Sequence, residues 1–167
     1  MKLWMLGSGS SGNSVLIETE RSRILVDAGF SPRVLKQRLT RAGVAPDSIE
    51  AVVVTHEHTD HVKGVASAAR KWGWTIVSTA GTRMMCPEWS ELRTILTPRK
   101  SSVVVGDFHL ETVPVPHDAS EPIAVIVTSI LRTTTKARSH FFRSMFLMSF
   151  ALHSTCTIAR QLPRGAM

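Results

Sequence analysis

The chain alternates short apolar runs with polar, glycine-rich or charged breaks. Lys2-Leu3-Trp4-Met5-Leu6 predicts a first short strand, broken by the Gly/Ser run from Gly7 to Ser14. Val15-Leu16-Ile17-Glu18 and Arg23-Ile24-Leu25-Val26-Asp27 predict two further strands, and the turn at Glu20 to Ser22 makes them a hairpin. Ser31-Pro32 reads as a helix start, since serine can cap and proline fits the first helical position. Val34, Leu35, Leu39 and Ala42 share one face; Arg33, Lys36, Gln37 and Arg41 fill most of the rest as a solvated face, and Gly43 ends the helix. The valine-rich run from Ile49 to Val54 predicts a strand buried on both faces. A helix is expected over Val62 to Lys71 with Gly64 inside it, a strand over Thr75 to Ser78, and a short helix over residues 79–88 closed by Pro87. The segment Trp89 to Lys100 is mixed. Val103 to Phe108 reads as strand and turn, followed by a second run, His109 to Val113. Trp72, Trp74 and Trp89 are expected to pack in the core rather than to stack on a nucleobase.

One stretch does not serve packing. Thr55-His56-Glu57-His58-Thr59-Asp60-His61 follows the apolar Ala51-Val52-Val53-Val54 run. Neutral imidazole and ionised carboxylate are ligands for zinc and for harder first-row metals. On an extended backbone, side chains at i and i+2 point the same way, so His56 and His58 reach one ion and Asp60 continues the series. If the chain turns into a helix there, Asp60 and His61 grip a second ion; paired ions at about 3.5–4 Å clamp a bridging water. Glu57 points the other way and is not expected to be a ligand.

H-x-H-x-D-H after a hydrophobic strand resembles the metallo-beta-lactamase superfamily, and the opening Gly7-Ser8-Gly9-Ser10-Ser11-Gly12-Asn13-Ser14 looks like its YycJ/WalJ-type branch. The resemblance covers residues 1 to about 123 and implies an α/β fold, the αββα sandwich, with metals at one edge. It implies hydrolysis, most often of a phosphodiester, and for this branch a 5′-to-3′ exonuclease acting on DNA. His117, at a strand end stiffened by Pro114 and Pro116, matches the third histidine motif and completes a first site with His56 and His58. Asp60 and His61 would hold a second ion, Asp60 also serving the catalytic step. Asp27 would support the metal-binding loops, and Gly7, Gly9, Gly12 and Asn13 would shape the site edge or offer backbone N–H groups to a phosphate. A plain serine-rich turn is the alternative for the opening. Asp118 is expected to be a supporting residue and His109 an ordinary strand histidine. Two divalent ions, Zn2+ or Mn2+, are implied for the intact family.

Composition adjusts this picture. The net charge is +7 over 167 residues, but residues 128–167 hold Arg132, Lys136, Arg138, Arg143, Arg160 and Arg164 and no acid. The remainder carries 14 basic against 13 acidic residues, so steering of nucleic acid does not follow from the whole-chain charge. Cys86 and Cys156 make no disulfide framework, and no stretch is long and apolar enough for a membrane span. A cytoplasmic location and no membrane partner are expected.

After Glu121 there is no acidic residue, so the metal-bridging aspartate that the resemblance implies is missing; His140 and His153 lack the context of the late histidine. Residues 1–127 are expected to be the amino-terminal part of the metallo-hydrolase domain, and 128–167 an atypical basic and apolar tail, either out of frame or divergent. The apolar run Met145 to Leu152 reads as a buried helix or strand, or an aggregation-prone segment. One bound ion, weak or absent hydrolysis, and oligomerisation through an exposed half-domain face follow as expectations. The substrate is DNA or a small phosphodiester. The alternatives are another small-substrate metallo-hydrolase of the same fold and a non-catalytic metal-binding fragment.

Overall fold

A strand that is apolar at every position must be covered on both faces. Four strands whose central residues are apolar on both faces form the centre of one sheet in the computed structural model, which describes residues 1–130, 145–149 and 157–161. The strands of that sheet are β1 (Lys2–Gly7), β2 (Ser14–Glu18), β3 (Arg23–Val26), β4 (Ala51–Val53), β5 (Thr75–Ser78) and β6 (Thr94–Leu96), in chain order. The hairpin β2–β3 forms as its turn predicts, and β1 joins it antiparallel. From β3 to β6 the pairing is parallel. Parallel neighbours need crossovers. These are α1 (Pro32–Arg41), α2 (Thr59–Val62) with α3 (Val65–Trp72), and α4 (Ala80–Met84).

A second sheet is antiparallel throughout: β7 (Ser102–Val105), β8 (Phe108–Pro114), β9 (Ile123–Ser129), β10 (Met145–Ser149) and β11 (Thr157–Gln161), in the order β11-β10-β9-β8-β7. Strand alternation sorts the core into two layers. Val15, Ile17, Ile24, Val26 and Val53 of the first sheet meet Phe108, Leu110, Val125 and Val127 of the second. Leu16, Leu25, Val52 and Ile76 face the opposite way, against Leu35, Leu39, Val65, Ala68 and Trp89. Trp74 and Trp89 are fully buried, as core packing requires.

Several expectations change. The chain supplies both sheets, and among the described residues β2 to β5 of the first bury apolar side chains against β8 and β9 of the second. The face without a helix, among the described residues, is the outer side of the second sheet, where Val104 and Val113 are exposed. The helix expected over 62–71 starts earlier, at Thr59, and is interrupted at Gly64. Gly64 N–H donates to the Ala28 carbonyl at 2.8 Å, and a Cβ there would strike the Phe30 carbonyl oxygen. Close approach to the β3–α1 connection therefore breaks the helix and demands glycine. The helix expected over 79–88 is α4 followed by a 3-10 turn at Pro87–Trp89. Ser31 precedes α1 but makes no side-chain cap. Residues 123–129 form β9, paired with β8 on one side and β10 on the other. Met145–Ser149 of the apolar run is strand β10. Residues 150–152, Cys156, His140 and His153 lie outside the described residues.

Candidate metal centre

β4 ends where an α/β sheet usually places its ligands, at the carboxyl edge of its strands. Beyond Val54 the chain bends at Thr55, and His58, itself in an extended conformation, leads into α2. This conformation sends His56 and His58 to one side. His117 arrives from the loop between β8 and β9. One ring nitrogen from each of His56, His58 and His117 lies within 4.8 Å of the others. His56 Nε2 and His117 Nε2 face each other at 3.2 Å.

The hydrogen bonds select the tautomers that a metal needs. Thr55 Oγ1 donates to Asp27 Oδ2 at 2.8 Å, so it accepts from His56 Nδ1 at 3.0 Å and leaves Nε2 with its lone pair. His58 Nε2 donates to the Asp118 carbonyl at 2.7 Å, which leaves Nδ1 as its free donor atom. Burial pushes the His56 pKa down to about 2, helped by His61, His117 and His58. His56 is therefore neutral at pH 7, the ligand form. The donor set fits one divalent ion of the zinc type.

Asp27 lies under this cluster, fully buried. It also accepts from the Thr55 N–H and from His61 Nδ1, both at 2.8 Å. Burial lowers the His61 pKa, but Asp27, through charge and hydrogen bond, and then Asp60 outweigh it, and the net shift is upward. His61 and Asp60 adjoin the cluster without belonging to it. The His61 ring is 4.0 Å from that of His56, centroid to centroid, and His61 Nε2 is 3.4 Å from Asp60 Oδ2. Asn13 Nδ2 bridges this pair, donating to Asp60 Oδ2 at 2.8 Å and lying 3.1 Å from His61 Nε2. Among the described residues the three-histidine cluster is the one group arranged for an ion.

Two amides of the Gly/Ser loop bond within the loop itself. Gly9 N–H donates to Asn13 Oδ1 at 2.9 Å, and Gly12 N–H to the Gly9 carbonyl at 3.0 Å. These bonds shape a turn that delivers Asn13 to Asp60. Gly12 is pressed on Phe30 and the Gly29 carbonyl, which a Cβ would meet at 2.8 Å. Gly7 packs on Phe30 and Arg38. His109 sits in β8 with Nδ1 3.6 Å from Glu111, away from the centre, as an ordinary strand histidine. Two residues were missed. Glu57 accepts from Ser120 N–H at 2.6 Å, and Glu121 accepts from Gly81 N–H at 2.7 Å. Nothing local marks these long-range partners.

Residues 7–129 match the metallo-beta-lactamase superfamily, and the chain belongs to it. Within it the likeness is to the WalJ/YycJ branch. Exodeoxyribonuclease WalJ of Streptococcus pneumoniae is 34% identical over 127 residues, 72% of this chain and 47% of WalJ. Exodeoxyribonuclease YycJ of Bacillus anthracis is 31% identical over 129 residues, 71% of this chain and 47% of YycJ. The chain thus spans about half the length of the curated relatives it matches. Among solved structures, the subclass B3 metallo-beta-lactamase MEM-A1 from a soil metagenome library superimposes with a TM-score of 0.68 at 17% identity, over 93% of this chain and 62% of that one.

Proposed function

We propose that this chain carries the first metal site of a metal-dependent hydrolase. His56, His58 and His117 would hold one divalent ion, and Asp60 and His61 supply half of a second site. The convergence of three imidazole nitrogens within 4.8 Å carries this reading. A bound ion would lower the pKa of its water and polarise an ester oxygen. The chain's own residues do the positioning. Asp27 orients His61 directly and His56 through Thr55. Asp118 orients His58, and Asn13 holds Asp60 beside His61.

The motifs define metals and not a substrate, and the superfamily carries both exodeoxyribonucleases and beta-lactamases. On its own the chain is best read as a one-ion centre with weak or no hydrolysis. Residues 1–127 are the unit we assign to that centre, and the uncovered face of the second sheet is where we place self-association. The finer reading, phosphodiester cleavage at DNA ends, is favoured over other esters by the likeness to WalJ and YycJ. No helix among the described residues is long and apolar enough to cross a membrane.

Elemental analysis of the purified chain, followed by assays with zinc or manganese, tests the proposal. One ion per chain, with slow or no release from 5′-ended DNA and from a chromogenic phosphodiester, is expected. Two ions per chain, or sustained turnover, would contradict the one-ion reading. No bound ion would remove the metal centre altogether.

A further inference from the structure

Four consecutive residues of the metal loop meet the segment that carries His117. Ile123 N–H donates to the Thr55 carbonyl at 3.0 Å, and His56 faces His117. Ser120 N–H donates to Glu57 Oε1 at 2.6 Å, and His58 Nε2 donates to the Asp118 carbonyl at 2.7 Å. Glu57 and His58, adjacent in the loop, thus hold the His117 segment at two different points, Ser120 and Asp118. The second carboxylate oxygen of Glu57 accepts from Thr82 Oγ1 at 3.3 Å, on α4. That helix reaches the same segment again, because Gly81 N–H and Thr79 Oγ1 donate to Glu121.

The His117 loop has no helix or strand of its own between Val115 and Pro122. Two backbone bonds close the loop on itself, Val115 N–H to the Pro122 carbonyl at 3.3 Å and Ala119 N–H to the His117 carbonyl at 3.0 Å, and the cross-bonds fix where it sits against the metal loop and α4. The Glu57 bond is the short one and joins a charged acceptor to an amide, the stronger class of hydrogen bond. The geometry points to Glu57 as a positioning residue that sets where His117 meets His56 and His58, by tying the His117 loop to both the metal loop and α4. This rests on the three-histidine reading for its purpose, but its geometry is testable without any ion.

The test compares the intact chain with Glu57→Ala, Glu57→Gln and Glu57→Asp. In metal-free buffer, exchange of the Ser120 amide proton is followed by NMR; then cobalt(II) is titrated and its visible spectrum recorded. Glu57→Ala is expected to speed Ser120 exchange by about ten- to hundredfold. It should weaken cobalt binding by about 10–100-fold and alter the spectrum. Glu57→Gln keeps an acceptor at Oε1 and should restore much of both. Glu57→Asp keeps the charge but falls short of Ser120, so it should behave like alanine; it also serves if the alanine variant fails to fold. Wild-type exchange and affinity in Glu57→Asp or Glu57→Ala, or a Gln variant no better than Ala, overturns the assignment. If the wild-type chain itself takes up no cobalt, the metal reading fails, and the Ser120 exchange rates alone decide whether Glu57 holds the loop.

Discussion

Asp27 is the residue whose loss should be felt most widely. Its carboxylate is fully buried and accepts three hydrogen bonds at 2.8 Å, from Thr55 N, Thr55 Oγ1 and His61 Nδ1. Its backbone lies at φ 59. Alanine there leaves the Thr55 amide and the His61 ring N–H without that acceptor, at about 1–3 kcal/mol each. The left-handed backbone adds about 1 kcal/mol, because aspartate tolerates it better than alanine does. The expected loss of about 3–7 kcal/mol is a large part of the roughly 5–15 kcal/mol that holds a domain together. Asp27→Asn keeps the backbone preference and one acceptor for Thr55 N–H, but turns a donor toward His61; about 1.5–3 kcal/mol is expected. Urea unfolding of metal-free protein, followed by far-UV circular dichroism, measures both. His61 adds a pH signature. Its folded pKa is raised above the ordinary 6.5, so its contact with Asp27 stabilises the fold fully below that value and loses this effect as pH rises through the folded pKa. The penalty of Asp27→Asn should therefore be larger at about pH 5.5 than at about pH 8.5. Unchanged midpoints for the alanine variant, or an asparagine penalty that grows with pH, would refute this account of the hub.

Other outcomes follow from single contacts. His117→Ala should weaken zinc binding by about 100-fold, one ligand's share of a typical structural site, without moving the metal-free unfolding midpoint; competition with a chromophoric chelator reads the first and urea the second. Gly64→Ala drives a Cβ into the Phe30 carbonyl and to within 2.9 Å of Leu35 Cδ1, and should cost about 1–3 kcal/mol or more in thermal unfolding. Phe108→Ala empties a fully buried position between the two sheets and should cost about 3–5 kcal/mol, seen as a lower denaturant midpoint.

The metal motif was legible because its chemistry is local. Residues two apart on an extended chain share a side, and the structure keeps His56 and His58 together on that rule. The valine run of β4 and the β2–β3 hairpin were legible for the same reason: alternation is written into neighbours. What was hidden depends on distant partners. Gly64 breaks its helix because the Ala28 and Phe30 carbonyls press on it, and neither is near in sequence. Glu57 bonds to Ser120, 63 residues away, which no local pattern announces. β9 is hidden for the same reason. Its pairing with β8 depends on register across the His117 loop.

The ligand set also fixes the order of events in folding. His56 and His117 stand 61 residues apart. A metal finger can organise itself around an ion because its ligands lie close along the chain. Here the cost of closing so long a loop must be met first by strand pairing and by the two apolar layers. An ion held by these three histidines would join late, as a guest of a scaffold that hydrophobic burial has already assembled. A ribosome that has released only β1 to β6 presents two of the three imidazoles, and these wait for the loop between β8 and β9. Metal starvation would then silence the centre while leaving the sheets standing.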